Sequence, residues 1–359
     1  MAAANPTVEN DFPVLGPLVD DDGVTFRFCD VDGTAASVRL SQGIGLPSDA
    51  VEFVRAEEDV DGETPVWTLR LPATGADRIE YLLEVRRADG RTETFLDPGN
   101  PLTAPGVFGD KSVAESADYV PPAWLDGPAP APGLASEVIV DADNLTEPVR
   151  GMLWAPEGID ADDADLPLLV VHDGPEYDEL ASITRYLSWL NVPLRALLLD
   201  PGSDRNDRYG ANDAYADTLV ASVLPMIPAK RRIGVGTSLG ALSMLHAGRR
   251  HPGTFDALFL QSGSFFTRDL DPQEQGTRRF DEVAEFVLET HCAVDDVAGV
   301  PTVMTCGTVE ENLANNRLMA ANLRRLGYDV TLHENRDAHN YTAWRDALHP
   351  YLANLVMPG

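Results

Sequence analysis

The chain has 359 residues, 44% of them hydrophobic, which is enough to bury a sizeable core and to divide into two domains. Its formal net charge of -31 excludes nucleic acid as a natural partner, and only Lys111 and Lys230 are lysines, so arginine supplies nearly all the positive charge. No apolar run reaches the roughly 18 residues of a membrane span, and the start "MAAANPTVENDFP" lacks the basic and apolar regions of a secretory signal, so a soluble, non-exported chain without membrane contact is expected.

Acidic runs such as "DDDGV", "AEEDVDGE" and "DADDAD" are spread along the chain and read as solvated faces. Together they suggest a protein adapted to molar salt, where the Debye length falls to about 3 Å and self-repulsion is screened. Cys29, Cys292 and Cys306 are odd in number and show no CxxC spacing, which argues against a disulfide framework or a zinc site and fits a cytoplasmic location.

From about Asp11 to Trp124, short alternating runs ("VTFRF", "SVRL", "VWTLRL", "IEYLLEVR") are punctuated by Asp-Gly, Gly and Pro, the pattern of an antiparallel β-sandwich. "VPPAWLDGPAPAPG" at 120–133 cannot hold a helix or a central strand and is expected to be a linker or surface strap. The division is drawn as 1–132 for the sandwich with its linker and 133–359 for a second domain.

There the grammar changes to apolar strands alternating with amphipathic helices: "LPLLVVHDG", a helix in "DELASITRYLSWL", "LRALLLDP", a helix in "NDAYADTLVASVLPMI", "RRIGVG", and a helix in "LGALSMLHAGRRHP". "FDALFLQSG" and "VPTVMTCGT" are further strands, "NNRLMAANLRRLGY" a helix, "DVTLHE" a last strand, and "YTAWRDALHPYLANLV" a last helix. This predicts a doubly wound, mostly parallel α/β sheet.

"GTSLG" places Ser238 where an apolar strand stops and a helix starts, the context a nucleophile elbow requires. The helix N-terminus then offers the Leu239 amide to a developing oxyanion. A serine needs a base, and of the seven histidines only His339 follows the last strand on a loop. The acid should follow the preceding strand: "CGTVEEN" offers Glu310, with Glu311 as the fallback. A second oxyanion amide is expected after "LLVVHDG", at Gly174 or Glu176, because Pro175 has no N–H. "QSGSFF", with Ser264, is expected to line the pocket floor.

"LLVVHDG", "LLLDPGSDR", "GVGTSLGALSMLHAGRRHPGTFDALFLQSGSFF", "CGTVEEN" and "AHNYTAWR" resemble the successive landmarks of the enterochelin esterases and the wider esterase D group. The part before the linker is similar to the immunoglobulin-like domain that precedes the hydrolase in that family. The resemblance implies an α/β-hydrolase with Ser238 as nucleophile, Glu310 as acid and His339 as base. It implies no protein cofactor and no protein-bound metal; iron would arrive with a ferric siderophore substrate. Asp173, Arg205, Arg208, Ser264 and Trp344 are the substrate-binding residues it suggests, and Arg268 and Arg345 are further arginines able to offset the chain's negative charge near the pocket mouth.

"RNDRY" departs from the family's Arg-x-x-Glu-Tyr at Arg208, Ala241 stands where a second glycine often follows the elbow, and "DAH" replaces Gly-Gly-His. An esterase acting on acylated glycans, with Trp67 as a candidate sugar platform, and a non-catalytic hydrolase-like binding protein are the alternatives. The oligomeric state is left open.

Overall fold

A computed structural model describes residues 15–57, 64–294 and 299–357. The expected start of the sandwich at Asp11 and most of the acidic run at 56–63 lie outside the described residues. The chain forms two compact units, Met1–Tyr119 and Val120–Gly359.

The first unit is antiparallel β-structure, with β1 (Leu18–Asp20), β2 (Gly23–Cys29), β3 (Ala35–Gln42), β4 (Val54–Arg55), β5 (Val66–Pro72), β6 (Arg78–Arg87), β7 (Thr92–Phe95), β8 (Thr103–Ala104) and β9 (Lys111–Glu115). One sheet runs β1-β2-β5-β4; the other runs β3-β6-β9-β8 with β7 paired to β6. Alternate residues such as Phe26, Leu40, Leu83 and Val113 are buried, as the period-two pattern requires. Trp67 is half-buried in β5.

The second unit carries an eight-stranded sheet: β10 (Leu134–Val140), β11 (Val149–Ala155), β12 (Leu168–Val171), β13 (Arg195–Leu199), β14 (Arg232–Thr237), β15 (Ala257–Gln261), β16 (Thr302–Gly307) and β17 (Val330–Asn335). Its order is β10-β11-β13-β12-β14-β15-β16-β17, with β10, β11 and β13 antiparallel and β12 onwards parallel. The helices are α1 (Gly174–Ala181), α2 (Ile183–Leu190), α3 (Arg205–Tyr209), α4 (Asp213–Thr218), α5 (Leu224–Met226), α6 (Leu239–Arg250), α7 (Phe280–Cys292), α8 (Leu313–Arg325), α9 (Tyr341–Asp346) and α10 (Tyr351–Val356).

Strands buried on both faces split their side chains between two cores. Leu168, Val170, Leu258 and Leu260 pack with α4, α6, α7 and α8, while Leu169, Val171, Ala257 and Phe259 pack with α1, α2 and α10. This is the expected doubly wound α/β-hydrolase architecture. Strand order reverses around β12, whose neighbours are β13 and β14, and such a switch point leaves a crevice at the carboxyl ends of the strands.

Several expected elements differ in detail. The helix read over 178–190 is two helices, broken at Ser182 in a left-handed conformation (φ 55°). The helix read over 212–227 passes through a π-helical stretch, Leu219–Val223. The last helix is split into α9 and α10. Helix α7 lies in a region to which the sequence reading assigned no element, although Phe280, Val283, Ala284 and Val287 follow the three-four spacing of a buried face. The Pro-rich strap belongs to the second unit, where Trp124 is buried edge-on against Tyr186 and Arg185 donates to the Leu125 and Gly127 carbonyls.

Candidate active site

Strand β14 ends at Thr237 and α6 begins at Leu239, leaving Ser238 alone in the turn with φ 53° and ψ -124°, a strained conformation for a residue with a side chain. Close packing permits it. A Cβ on Gly236 would stand 2.4 Å from the Gly240 carbonyl oxygen, and one on Gly240 would stand 2.8 Å from an Asp173 carboxylate oxygen. Ala241 is fully buried under the turn, so a methyl group is accommodated there.

His339, on the loop between β17 and α9, places Nε2 3.1 Å from Ser238 Oγ. Its Nδ1 lies 2.5 Å from Glu310 Oε2. The other Glu310 oxygen accepts from Ser262 Oγ at 2.7 Å, from the Cys306 thiol at 3.0 Å and from the Gly307 amide. Burial pushes the Glu310 carboxyl up, but hydrogen bonding and charge from His339, with the Cys306 and Ser262 donors, outweigh it and hold the group below the ordinary carboxylate range. Glu311 points elsewhere, towards Gln273. Sequence order alone left both glutamates open; the turn after β16 separates them.

The amide of Leu239 is the first of α6 and that of Gly174 the first of α1, so neither has an intrahelical acceptor. A Cβ at Gly174 would stand 2.4 Å from the Leu198 carbonyl carbon, so glycine lets α1 start against β13. The Asp173 amide is oriented towards the Tyr209 hydroxyl at 3.3 Å.

Ser264 sits beside the nucleophile candidate: its Oγ is 3.1 Å from Ser238 Oγ and its amide donates to the Ser238 carbonyl. Asp173 is buried, and Arg205 clamps its carboxylate with two bonds of 2.6 and 2.8 Å while keeping a third of its own side chain exposed. Arg208 departs from expectation. Its side chain is 5% exposed, and its guanidinium donates to the Asp200 and Pro148 carbonyls and pairs with Glu147, which makes it scaffolding, not part of a pocket mouth.

Trp344 also differs: it is buried, its ring standing edge-on to His339 at 5.0 Å and its indole N–H donating to Ser262. Arg268 pairs with Asp281 and Arg345 with Asp346. Asp337, in "DAH", holds the Ala338 amide and the Asn340 side chain.

His172, one of the six histidines that do not follow the last strand on a loop, is fully buried. It donates from Nδ1 to the Gly240 carbonyl and accepts from Tyr215 OH, stacked on Tyr209, and burial pushes it down to about 4. Sequence reasoning missed Ser262 and Asn312. The latter offers its side-chain amide to the Ser262 carbonyl at 3.3 Å and lies 3.4 Å from His339 Nδ1. Both needed the fold to be brought to the site.

Fold and site together define an α/β-hydrolase carrying a Ser–His–Glu constellation at a strand-to-helix elbow. No family model matches the chain. An iron(III) enterobactin esterase of Escherichia coli K12 is 26% identical over 284 residues, covering 72% of this chain and 67% of that protein. The structure also resembles an enterobactin esterase from Shigella flexneri determined with enterobactin (TM-score 0.72, 20% identity, 96% of each chain) and a ferric enterobactin esterase from Salmonella typhimurium (TM-score 0.71, 19% identity, 95% and 96%). A ferulic acid esterase matches 63% of this chain and 98% of its own, with a TM-score of 0.51 and 15% identity. The resemblance seen in the sequence is borne out as a likeness: the chain is similar to enterobactin esterases in sequence over 72% of its length and in fold over nearly all of it.

Proposed function

We propose that this protein is a carboxylic-ester hydrolase that cleaves a siderophore ester, or a related ester, through an acyl-enzyme on Ser238. The observation that carries the reading is the continuous chain from Glu310 through His339 to Ser238 Oγ, at 2.5 and 3.1 Å. His339 Nε2 takes the hydroxyl proton as Oγ attacks the ester carbonyl carbon. The oxyanion forms against the Leu239 and Gly174 amides. When the carbonyl reforms, the C–O bond to the alcohol breaks and His339 returns its proton to the leaving oxygen. Water, deprotonated by the same nitrogen, then attacks the acyl-serine, releasing the acid and restoring Ser238. Glu310 stays ionised throughout and keeps Nδ1–H aimed away from the serine.

Arg205, partly exposed and fixed by Asp173, and the Ser264 hydroxyl are the substrate-contacting groups in this reading. An enterobactin-type ester is favoured over a feruloyl ester because the likeness to enterobactin esterases runs through both units, whereas the ferulic acid esterase matches 63% of the chain. Iron enters as part of the substrate. The test is hydrolysis in molar KCl of an activated aryl acetate, a ferric catecholate trilactone and a feruloylated sugar by wild type and Ser238→Ala. Wild type is expected to cleave the trilactone best, and the alanine variant to lose at least about a thousandfold. A folded wild type inert on all three, or an alanine variant of equal activity, contradicts the reading.

A further inference from the structure

Four consecutive residues at the end of β15 each hold a different part of the site. The Gln261 carbonyl accepts from the Ser238 amide at 2.9 Å, and its side-chain amide donates to the Trp344 carbonyl at 3.1 Å. Gly263 exchanges two bonds with the Asn316 side chain, of 3.0 and 2.7 Å. Ser264 lies against Ser238. Between them, Ser262 is held at φ 46°, a left-handed conformation that residues with a side chain adopt only when the surroundings enforce it.

Its hydroxyl joins an indole to a carboxylate. It accepts from Trp344 Nε1 at 2.9 Å and spends its one proton on Glu310 Oε1 at 2.7 Å. The direction of that proton follows from the two partners: an indole N–H can only donate and an ionised carboxylate can only accept, so the O–H faces Glu310.

We propose that Ser262, oriented by Trp344, is a positioning residue that turns the Glu310 carboxylate so that Oε2 meets His339 Nδ1. The inference rests on the Ser–His–Glu reading above. The Glu310 side chain has no exposed surface, so donors must replace the water it has lost, and each donor also fixes a lone-pair direction. Of its partners at Oε1, the thiol is a weak donor and the Gly307 amide belongs to the turn itself. Ser262 is the only one of the three that also bonds to Trp344, the indole standing edge-on to His339. Acid and base are thereby referenced to the same ring. The ionisable groups bonded to the carboxyl are Cys306 of β16 and His339; beyond Cys306, Glu334 of β17 and Arg317 of α8 pair with each other.

The test is the rate at which a fluorophosphonate labels Ser238 in the full-length protein in molar KCl, followed from pH 5 to 9, for wild type, Ser262→Ala and Trp344→Phe. Phenylalanine keeps an edge-on ring but has no N–H. Loss of a hydrogen bond to a buried carboxylate is expected to slow labelling by Ser262→Ala about tenfold at neutral pH. A carboxylate with one donor fewer also holds the proton it shares with His339 more strongly, so the acid limb of the profile moves to higher pH, by about half a unit. Trp344→Phe should move both in the same direction, by about threefold in rate. A purely structural role would lower the fraction of folded protein without moving the limb.

An unchanged rate and limb in a folded Ser262→Ala protein overturns the proposal. If that variant does not fold, Trp344→Phe decides: a shifted limb supports the proposal and an unshifted one overturns it. Failure of wild type to label at Ser238 would instead overturn the Ser–His–Glu reading, and this inference with it.

Discussion

Two adjacent glutamates divide the labour at the turn after β16: Glu310 is buried against His339, whereas Glu311 is exposed. Glu310→Gln keeps the shape but removes the charge that holds the imidazole in its working orientation, so ester hydrolysis should fall by about a thousandfold or more, while Glu311→Gln stays within about twofold. The reverse ranking in steady-state assays would reassign the acid. Sequence order could narrow the acid to this pair and the base to His339, because strand ends are readable from apolar runs. It could not say which glutamate turns inward, since the amide of Gly307 and the hydroxyl of Ser262 decide that from two different strand ends.

His172 makes a second residue-scale prediction. Folded, it protonates only near 4; unfolded, near 6.5. Between those values the unfolded chain binds the extra proton, so stability is lost as pH falls from about 6.5 towards 4, by up to about 3 kcal/mol. Denaturant midpoints in molar KCl at pH 7 and 4.5 should show this, and His172→Gln should flatten it. An equal drop in the variant would place the acid sensitivity elsewhere.

At the scale of elements, legibility followed burial. Strands such as Leu168–Val171 announce themselves because both faces are apolar, and the sheet and its elbow could be read from them. Breaks within helices could not, because they depend on single backbone conformations such as that of Ser182 or on the π-helical widening at Leu219–Val223. The strap at 120–133 was expected to hold no helix, yet it forms one 3-10 turn, Ala123–Leu125, and its role was not readable: its one large residue, Trp124, is 2% exposed in the core beside Tyr186. Trp124→Ala should therefore cost about 3–5 kcal/mol, seen as a lower melting temperature of the second unit. A change below about 1 kcal/mol would mean that the strap is a passive tether. The misreading of Arg208 has the same origin. A basic residue in a familiar stretch suggests anion binding, yet three-dimensional packing spends its guanidinium on the Asp200 and Pro148 carbonyls and Glu147.

At the scale of the whole molecule, a formal charge of -31 is a standing repulsion that salt screens. We propose that the fold is maintained best in molar salt; dialysis to about 0.01 M, where the Debye length grows to about 30 Å, should lower the unfolding midpoint sharply. Equal stability in both would show that the acidic surface is tolerated without screening. Activity assays are therefore placed in molar KCl. The most direct test of the central claim is acyl-enzyme trapping: wild type is mixed with an activated aryl ester, quenched in acid, and the modified peptide identified by mass. The account predicts one acyl group on Ser238, formed in a burst and absent in Ser238→Ala. Turnover with no acyl group on Ser238, or with the group on another residue, would contradict it.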